Sequence, residues 1–148
     1  MILAYIDGGA RGNPGPAGYG VRIESSDGVV LDELHGALGI ATNNVAEYNG
    51  LLAALQWAVA NNQRDVLIRA DSELLVRQMR GEYKVKHPGL QPLSAKARLL
   101  AAQLDRVRFE HVRRELNKEA DRLSNVGMDE SEEMLKRGED AAPPGRLF

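Results

Sequence analysis

The chain of 148 residues opens with MILAYIDGGARGNPGPAGYGVRIESSDGVVLDELHGAL, residues 1–38, and this stretch decides the fold. Its first seven residues are mostly apolar, as in a strand that is buried on both faces. The glycine- and proline-rich run over 8–18 predicts an irregular loop. Residues 18–26 and 29–38 have the pattern of two more strands, and Asp27-Gly28 between them is a typical hairpin turn. The segment therefore predicts three antiparallel strands.

Helices and strands alternate along the rest of the chain. Asn44 is a suitable N-cap for a helix that ends near Asn61. The further predicted elements are a strand over 65–71, a helix over 73–80, a helix over 91–104, a strand over 106–112 and a helix over 117–128. This order predicts an α/β domain with a mixed five-stranded sheet, whose three N-terminal strands are antiparallel and whose faces both carry helices.

Composition narrows the class of protein. Hydrophobic residues make up 43% of the chain and charged residues 27%, which is typical of a globular domain. The chain has no cysteine, which excludes disulfides and thiolate metal sites and suits a reducing cytoplasm. No apolar run approaches the roughly 20 residues that span a bilayer. We expect a cytoplasmic monomer with no membrane partner, folded over 1–128 and ending in an acidic, flexible tail over 129–148.

Four acidic residues suggest a metal site. Asp7 and Asp71 each end a predicted buried strand. If the first and fourth strands are parallel neighbours, these two acids lie side by side at one edge of the sheet. Glu47 and Asp121 lie near the starts of predicted helices, which gather at the same edge. Carboxylates a few ångströms apart need cations to remain ionised, and oxygen ligands select hard ions such as Mg²⁺ or Mn²⁺. We expect the four side chains to share one cleft.

These acids also have purely structural explanations. Glu47 and Asp121 would favour a first helical turn, where a negative charge contributes about 0.3–1 kcal/mol. Asp71 would suit a turn beside Ser72. Asp7 has no such explanation, since its strand offers no other polar group. Spacing alone therefore permits a metal site without requiring one.

The same acids lie in four motifs that resemble those of type 1 ribonuclease H. In chain order the motifs are YIDGGARGNPGPAGYG with Asp7, TNNVAEYNGLLAAL with Glu47, IRADSELLVRQM with Asp71, and NKEADRLSN with Asp121. A single short motif of this kind is uninformative. The ordered set, each motif on the expected element, covers residues 1–128 and is highly specific.

The resemblance implies a ribonuclease H-like fold and hydrolysis of the RNA strand of RNA–DNA hybrids, which leaves 5′-phosphate and 3′-hydroxyl ends. Two Mg²⁺ ions, or Mn²⁺ in their place, would be held about 3.5–4 Å apart by the four acids when substrate is bound. The implied nucleic-acid contacts are Asn13, Asn43 and Asn44 for the RNA 2′-hydroxyls, Thr42 for a DNA phosphate, and Glu73 facing the groove. Simpler roles are a turn for Asn13, a helix cap for Asn44 and a solvated surface for Glu73.

The chain departs from the family pattern at two places. Larger members carry a basic protrusion between the middle helices, where this chain has only EYKVKHPGLQP, with Lys84 and Lys86 as partial substitutes. Many members carry a catalytic histidine before the last helix, where this chain has VRRELNKEAD. Arg114 is the candidate to assist there, by holding the scissile phosphate or expelling product, because arginine stays protonated and cannot act as a base.

Two other functional classes remain compatible with the sequence. A non-catalytic module that binds hybrids would gain nothing from crowded carboxylates near phosphate. A junction resolvase would share the fold but would not need asparagines that read the 2′-hydroxyl.

Overall fold

A computed structural model of the chain describes residues 1–138. The strands are β1 (Ile2–Ala10), β2 (Gly15–Ser25), β3 (Val30–Ala41), β4 (Asp65–Ala70) and β5 (Arg106–His111). The helices are α1 (Asn43–Ala60), α2 (Glu73–Met79), α3 (Gln91–Ala102) and α4 (Lys118–Lys136), and a 3-10 turn covers Arg114–Leu116. The strand order is β3-β2-β1-β4-β5. The predicted mixed sheet is confirmed.

Pairing within the sheet fixes where the strand ends lie. β1 pairs antiparallel with β2, and β2 pairs antiparallel with β3. β1 pairs parallel with β4, so Ile6 is opposite Ala70 and the next residues, Asp7 and Asp71, are neighbours at the same edge. The parallel arrangement that the sequence left as a condition is therefore present.

The glycine-rich run is mostly strand, and the prediction of a loop over 8–18 was wrong. Only residues 11–14 connect β1 to β2. Gly12 lies in that connection with φ at 92°, whereas Gly8 in the run and Gly20 just beyond it serve close packing. A Cβ on Gly8 would lie 2.3 Å from the Ala46 backbone in α1, and a Cβ on Gly20 would lie 2.4 Å from the Ser124 backbone in α4. Both helices therefore approach the sheet more closely than a side chain would permit.

Helix α1 is the central helix of the main core. It packs against β1 and α3, and residues around much of its circumference are buried, including Leu51, Leu52 and Leu55. Its N-cap is Thr42, whose hydroxyl accepts a hydrogen bond from the Val45 N–H at 3.2 Å. The prediction of Asn44 as the cap was wrong, because the extended backbone that a cap requires occurs two residues earlier.

Helix α4 lies on the opposite face and continues eight residues beyond its predicted end. Its Ser131 is fully buried, and the hydroxyl donates to the Ala17 carbonyl at 2.5 Å and accepts from the Leu38 and Gly39 N–H groups. The predicted boundary at residue 128 was therefore wrong, because these contacts hold the second half of α4 on the sheet. Residues 139–148 of the predicted tail lie outside the described part of the chain.

Across residues 1–138, no helix combines the length and apolar character needed to cross a bilayer.

Candidate active site

Three carboxylates meet where the parallel pairing of β1 and β4 ends. Asp7 lies within β1, which continues to Ala10, so the prediction that Asp7 ends its strand was wrong. One oxygen each from Asp7, Glu47 and Asp71 can be chosen so that all three lie within 4.8 Å of one another. Asp7 is buried, and the other two side chains are partly exposed. The three residues come from a strand, a helix and the residue after a strand, so the cluster depends on the tertiary fold.

The close approach of α1 to β1 brings Glu47 into this cluster. Gly8 has no side chain to separate the two elements, and a Cβ on Gly50 would lie 3.0 Å from the Asp7 carbonyl oxygen. Glu47 is the fifth residue of α1, and no acid occupies the first turn of that helix. The explanation that Glu47 favours the first turn of its helix was therefore wrong. An interaction with the helix dipole does not account for the position of Glu47 beside two other acids.

Asp121 lies at the rim of the cluster rather than within it. It is exposed and sits in the first turn of α4, as predicted. After burial and the charge of Asp71, a hydrogen bond with Asp121 also contributes to the raised pKa of Asp7. Ser124, one turn further along α4, donates to the Asp121 carbonyl at 2.8 Å and lies 3.4 Å from an Asp7 carboxylate oxygen. The structure thus brings the fourth predicted acid to the same cleft.

The cluster is electrostatically unfavourable when it holds no cation. Burial, and next the charge of Asp71, raise the pKa of Asp7 to about 8 from its ordinary 3.8. Burial also raises the pKa of Glu47 to about 7, against an opposing hydrogen bond from Ser72, and it raises the pKa of Asp71. Oxygen-only donors this close together suit a hard divalent ion, whose charge would remove the repulsion. The residues present therefore fit such a metal.

Several residues that the sequence did not single out support the carboxylates. Asn117 is buried, and its amide donates to the Ile6 carbonyl at 2.9 Å, while a hydrogen bond from the same side chain lowers the pKa of Asp71. His111 Nε2 donates to the Asp71 carbonyl at 3.2 Å. The sequence placed Asn117 at the start of a predicted helix and His111 within a predicted strand, and no local pattern marks their contacts with distant segments.

Arg114 lies where its charge acts on the cluster. It is exposed in the 3-10 turn before α4, and its positive charge partly opposes the rise that burial causes in the pKa values of Glu47 and Asp71. The predicted position of this arginine is therefore consistent with a role at the acidic site. Its part in catalysis stays a prediction.

The asparagines predicted to contact nucleic acid lie together at one side of the cluster. The Asn13 side-chain oxygen accepts from the Asn43 N–H at 3.0 Å, and the Asn43 side-chain oxygen accepts from the Ala10 N–H at 2.8 Å. These bonds use the two amide oxygens, and the amide N–H groups remain on the same side chains as donors. Asn44 is exposed on the first turn of α1. With Thr42 as the cap, Asn44 is not required for capping.

The remaining predicted contacts are surface residues. Glu73 is exposed and accepts a hydrogen bond from Arg77 at 2.8 Å, which agrees with its simpler role as a solvated residue. Lys84 and Lys86 are exposed on the connection between α2 and α3. Within residues 1–138, none of these three residues forms a hydrogen bond or an ion pair with the acidic cluster.

A mixed sheet of this strand order, with carboxylates where the parallel pairing of β1 and β4 ends, is characteristic of ribonuclease H-like domains. Residues 5–127 match the family described as reverse transcriptase-like. This match covers most of the chain and includes all four predicted acids.

Solved structures of ribonuclease H proteins are similar to this chain in both sequence and fold. The N-terminal RNase H domain of Rv2228c from Mycobacterium tuberculosis is 47% identical, with a TM-score of 0.87 over 90% of this chain and 97% of that domain. RNase H1 from Halobacterium salinarum is 40% identical, with a TM-score of 0.84 over 87% of this chain and 98% of that one. LC11-RNase H1 from compost, solved in complex with an RNA/DNA hybrid, is 43% identical, with a TM-score of 0.84 over 88% and 99%.

The chain belongs to the type 1 ribonuclease H family. It spans 35% of the length of the full Rv2228c protein, which is described as bifunctional. The resemblance drawn from the four motifs is confirmed.

Proposed function

We propose that this domain hydrolyses the RNA strand of RNA–DNA hybrids. The observation that carries the proposal is the meeting of Asp7, Glu47 and Asp71 within 4.8 Å in a ribonuclease H fold. The relative solved with a bound RNA/DNA hybrid supports the choice of substrate, because it is 43% identical over nearly its whole length.

Two divalent ions, Mg²⁺ or Mn²⁺, are the proposed cofactor, held by Asp7, Glu47, Asp71 and Asp121 when substrate is present. Such ions activate the attacking water and stabilise the charge that develops on the leaving 3′-oxygen, leaving 5′-phosphate and 3′-hydroxyl ends. The crowded carboxylates support this. Burial and the neighbouring charge of Asp71 raise the pKa values of Asp7 and Glu47, and bound cations would stabilise the ionised forms of both.

The fold keeps the ligand oxygens in place before any ion binds. The Gly8 N–H donates to an Asp7 oxygen at 2.9 Å, and Asn117 donates to the carbonyl just before Asp7. Ser72 bonds to Glu47. A preformed oxygen cluster loses little conformational entropy when the ions and the scissile phosphate arrive.

We assign discrimination between the RNA strand and the DNA strand to the neutral side chains beside the cluster. Asn13, Asn43 and Asn44 would read the 2′-hydroxyls of the RNA strand, which both donate and accept hydrogen bonds. Thr42 would lie near a DNA phosphate, and Lys84 and Lys86 would add salt-dependent attraction to the backbone. Glu73 is a weaker candidate for the groove, because its carboxylate is already paired with Arg77.

The direct test is incubation of the domain with a hybrid whose RNA strand is labelled at its 5′ end, in Mg²⁺ or Mn²⁺ and in EDTA. We expect metal-dependent cleavage of that strand, with labelled products that carry 3′-hydroxyl ends. The Asp7→Asn variant is the matched control, since it removes one ligand while keeping the size of the side chain.

Two outcomes would contradict the proposal. Hybrid that binds tightly but stays intact at high protein concentration would indicate a binding module. Equal cleavage of a DNA–DNA duplex of the same sequence would indicate a relative with another substrate, such as a resolvase.

A further inference from the structure

Arg11 connects the β1–β2 turn, residues 11–14, to helix α4. Its guanidinium donates to Asp129 at 2.6 Å and to Glu132 at 3.0 Å, and a second nitrogen donates to Asn125 at 3.2 Å. The three partners are four and then three residues apart, so they lie on one face of the helix. Three polar partners on one rigid element fix the position of the guanidinium group.

The same turn is fixed at its other side by α1. The Arg11 N–H donates to the Pro16 carbonyl at 2.9 Å, which closes the turn. Two residues on, Asn13 accepts from the Asn43 N–H, and Asn43 accepts from the Ala10 N–H. The turn is thus held between the second half of α4 and the N-terminus of α1.

We propose that Arg11 is a positioning residue for substrate discrimination, because its bonds to Asp129, Glu132 and Asn125 on α4 set where the amides of Asn13 and Asn43 meet the RNA strand. This inference rests on the proposed function, which assigns hybrid reading to those asparagines. It adds a residue that the sequence motifs gave no reason to select.

The local charge argues against a direct role for Arg11 on phosphate. Its one positive charge faces two carboxylates, so this small group of side chains carries a net negative charge. An arginine that bound the hybrid backbone would first have to leave both acids. The second half of α4 is itself fixed on the sheet by Ser131, which gives the arginine a stationary anchor.

The test compares Arg11→Ala and Asp129→Ala with the matched control Glu130→Ala. Glu130 is the next residue of α4 and also pairs with the sheet, but its partner is His35 on β3, at 2.6 Å. Asp129→Ala and Glu130→Ala each remove one negative charge from the same helix. Only Asp129→Ala removes a contact with the turn.

Two quantities are measured for each variant. The first is the ratio of the Kd for a DNA–DNA duplex to that for an RNA–DNA hybrid of the same sequence, without divalent ions. Both duplexes carry the same phosphates, so a simple change in net charge moves both Kd values and leaves their ratio constant. The second is the separate change in kcat and KM on hybrid in Mg²⁺.

We expect Arg11→Ala and Asp129→Ala to lower the Kd ratio about three- to tenfold and to raise KM, with kcat within about twofold. Arg11→Lys should restore part of the ratio, because an ammonium group can still reach one of the acids. Glu130→Ala should leave the ratio unchanged.

A Kd ratio in Arg11→Ala equal to that of the original protein would overturn the inference, as would a loss in Glu130→Ala as large as that in Asp129→Ala. If Arg11→Ala does not fold, Asp129→Ala decides alone. Cleavage by the unmodified protein is measured in the same series, so failure of the proposed function is seen separately from failure of this inference.

Discussion

Two neighbouring regions at one edge of the sheet are stabilised in opposite ways. The acidic cluster of Asp7, Glu47 and Asp71 is crowded, partly buried and costly to ionise. Beside it, the β1–β2 turn and the start of α1 carry neutral amides, and those of Asn13 and Asn43 bond to backbone groups. The first region needs a cation to become electrostatically stable. In the second region, the amide oxygens of Asn13 and Asn43 already have hydrogen-bond partners in the fold.

This contrast separates chemistry from recognition. A cluster that the fold destabilises is retained for what it binds, and a divalent ion is the group that would stabilise it. The side-chain amides of Asn13 and Asn43 accept hydrogen bonds from backbone N–H groups, so their presence could be explained without any substrate. Variants of the first region should therefore change turnover and metal dependence, and variants of the second should change affinity and selectivity.

The largest effect is expected for Asp7→Asn. This change removes the buried central ligand and should lower kcat on RNA–DNA hybrid by about 10³-fold or more, as expected when divalent ions supply most of the catalysis. The fold should persist, because the amide has the same shape and does not ionise. Circular dichroism and single-turnover cleavage measure the two properties, and retained turnover would contradict the assignment.

A comparison of Asp71→Asn with Arg114→Ala distinguishes a ligand from a helper. Asp71 lies in the cluster, whereas Arg114 is exposed and acts on Glu47 and Asp71 through its charge. We expect a loss in kcat of about 10²-fold or more for the first variant and about tenfold for the second. Turnover numbers measured in saturating Mg²⁺ test the order, and the reverse order would make Arg114 the more important group.

The pH dependence of folding tests the electrostatic cost of the cluster. The pKa of Asp7 rises to about 8 and that of Glu47 to about 7 in the fold, so the folded protein retains protons that the unfolded chain releases. Their stabilising contribution is complete below about pH 4 and is lost as pH rises toward 8. In EDTA, Asp7→Asn should therefore become more stable than the original protein with rising pH, by up to about 5 kcal/mol at pH 8.

Urea denaturation at a series of pH values, with and without Mg²⁺, measures this difference. Mg²⁺ should reduce it, because the ion stabilises the ionised carboxylates of the original protein and not the variant. A difference that is constant between pH 4 and 8 would show that the carboxylates are not strained.

The smallest effect on hybrid cleavage is expected in the second region, which comprises the β1–β2 turn and the start of α1. Asn43→Ala removes an amide that accepts from the Ala10 N–H and that we propose reads a 2′-hydroxyl. KM on hybrid should rise about tenfold with kcat nearly unchanged, since a lost hydrogen bond of this kind contributes about 1 kcal/mol or slightly more. A fall in kcat without a change in KM would assign Asn43 to the chemistry instead of to recognition.

Much of the site could be predicted because its signals are local. Asp7 follows an apolar run in β1, and Asp71 comes directly after the mostly apolar strand β4. An acid in such a place is conspicuous in any sequence. The mixed sheet and its three antiparallel N-terminal strands followed from the hairpin signal and from the alternation of helices and strands. The four motifs then supplied the grouping that periodicity alone could not provide.

The rest depended on contacts between distant segments. Gly8 was assigned to a loop because glycine commonly marks turns, yet here it lets helix α1 approach the sheet. The extension of α4 rests on Ser131, a residue whose burial against β2 and β3 has no sequence signature. Asn117 and Arg11 were overlooked for the same reason, since their partners lie more than 100 residues away.

The central claim is that the cluster is a divalent metal site, and anomalous diffraction from a crystal soaked in Mn²⁺ tests it most directly. We expect a manganese peak in contact with the carboxylates of Asp7, Glu47 and Asp71, and its loss in Asp7→Asn crystals soaked in the same way. Manganese bound only elsewhere, or Asp7, Glu47 and Asp71 found too far apart to share an ion, would contradict the account.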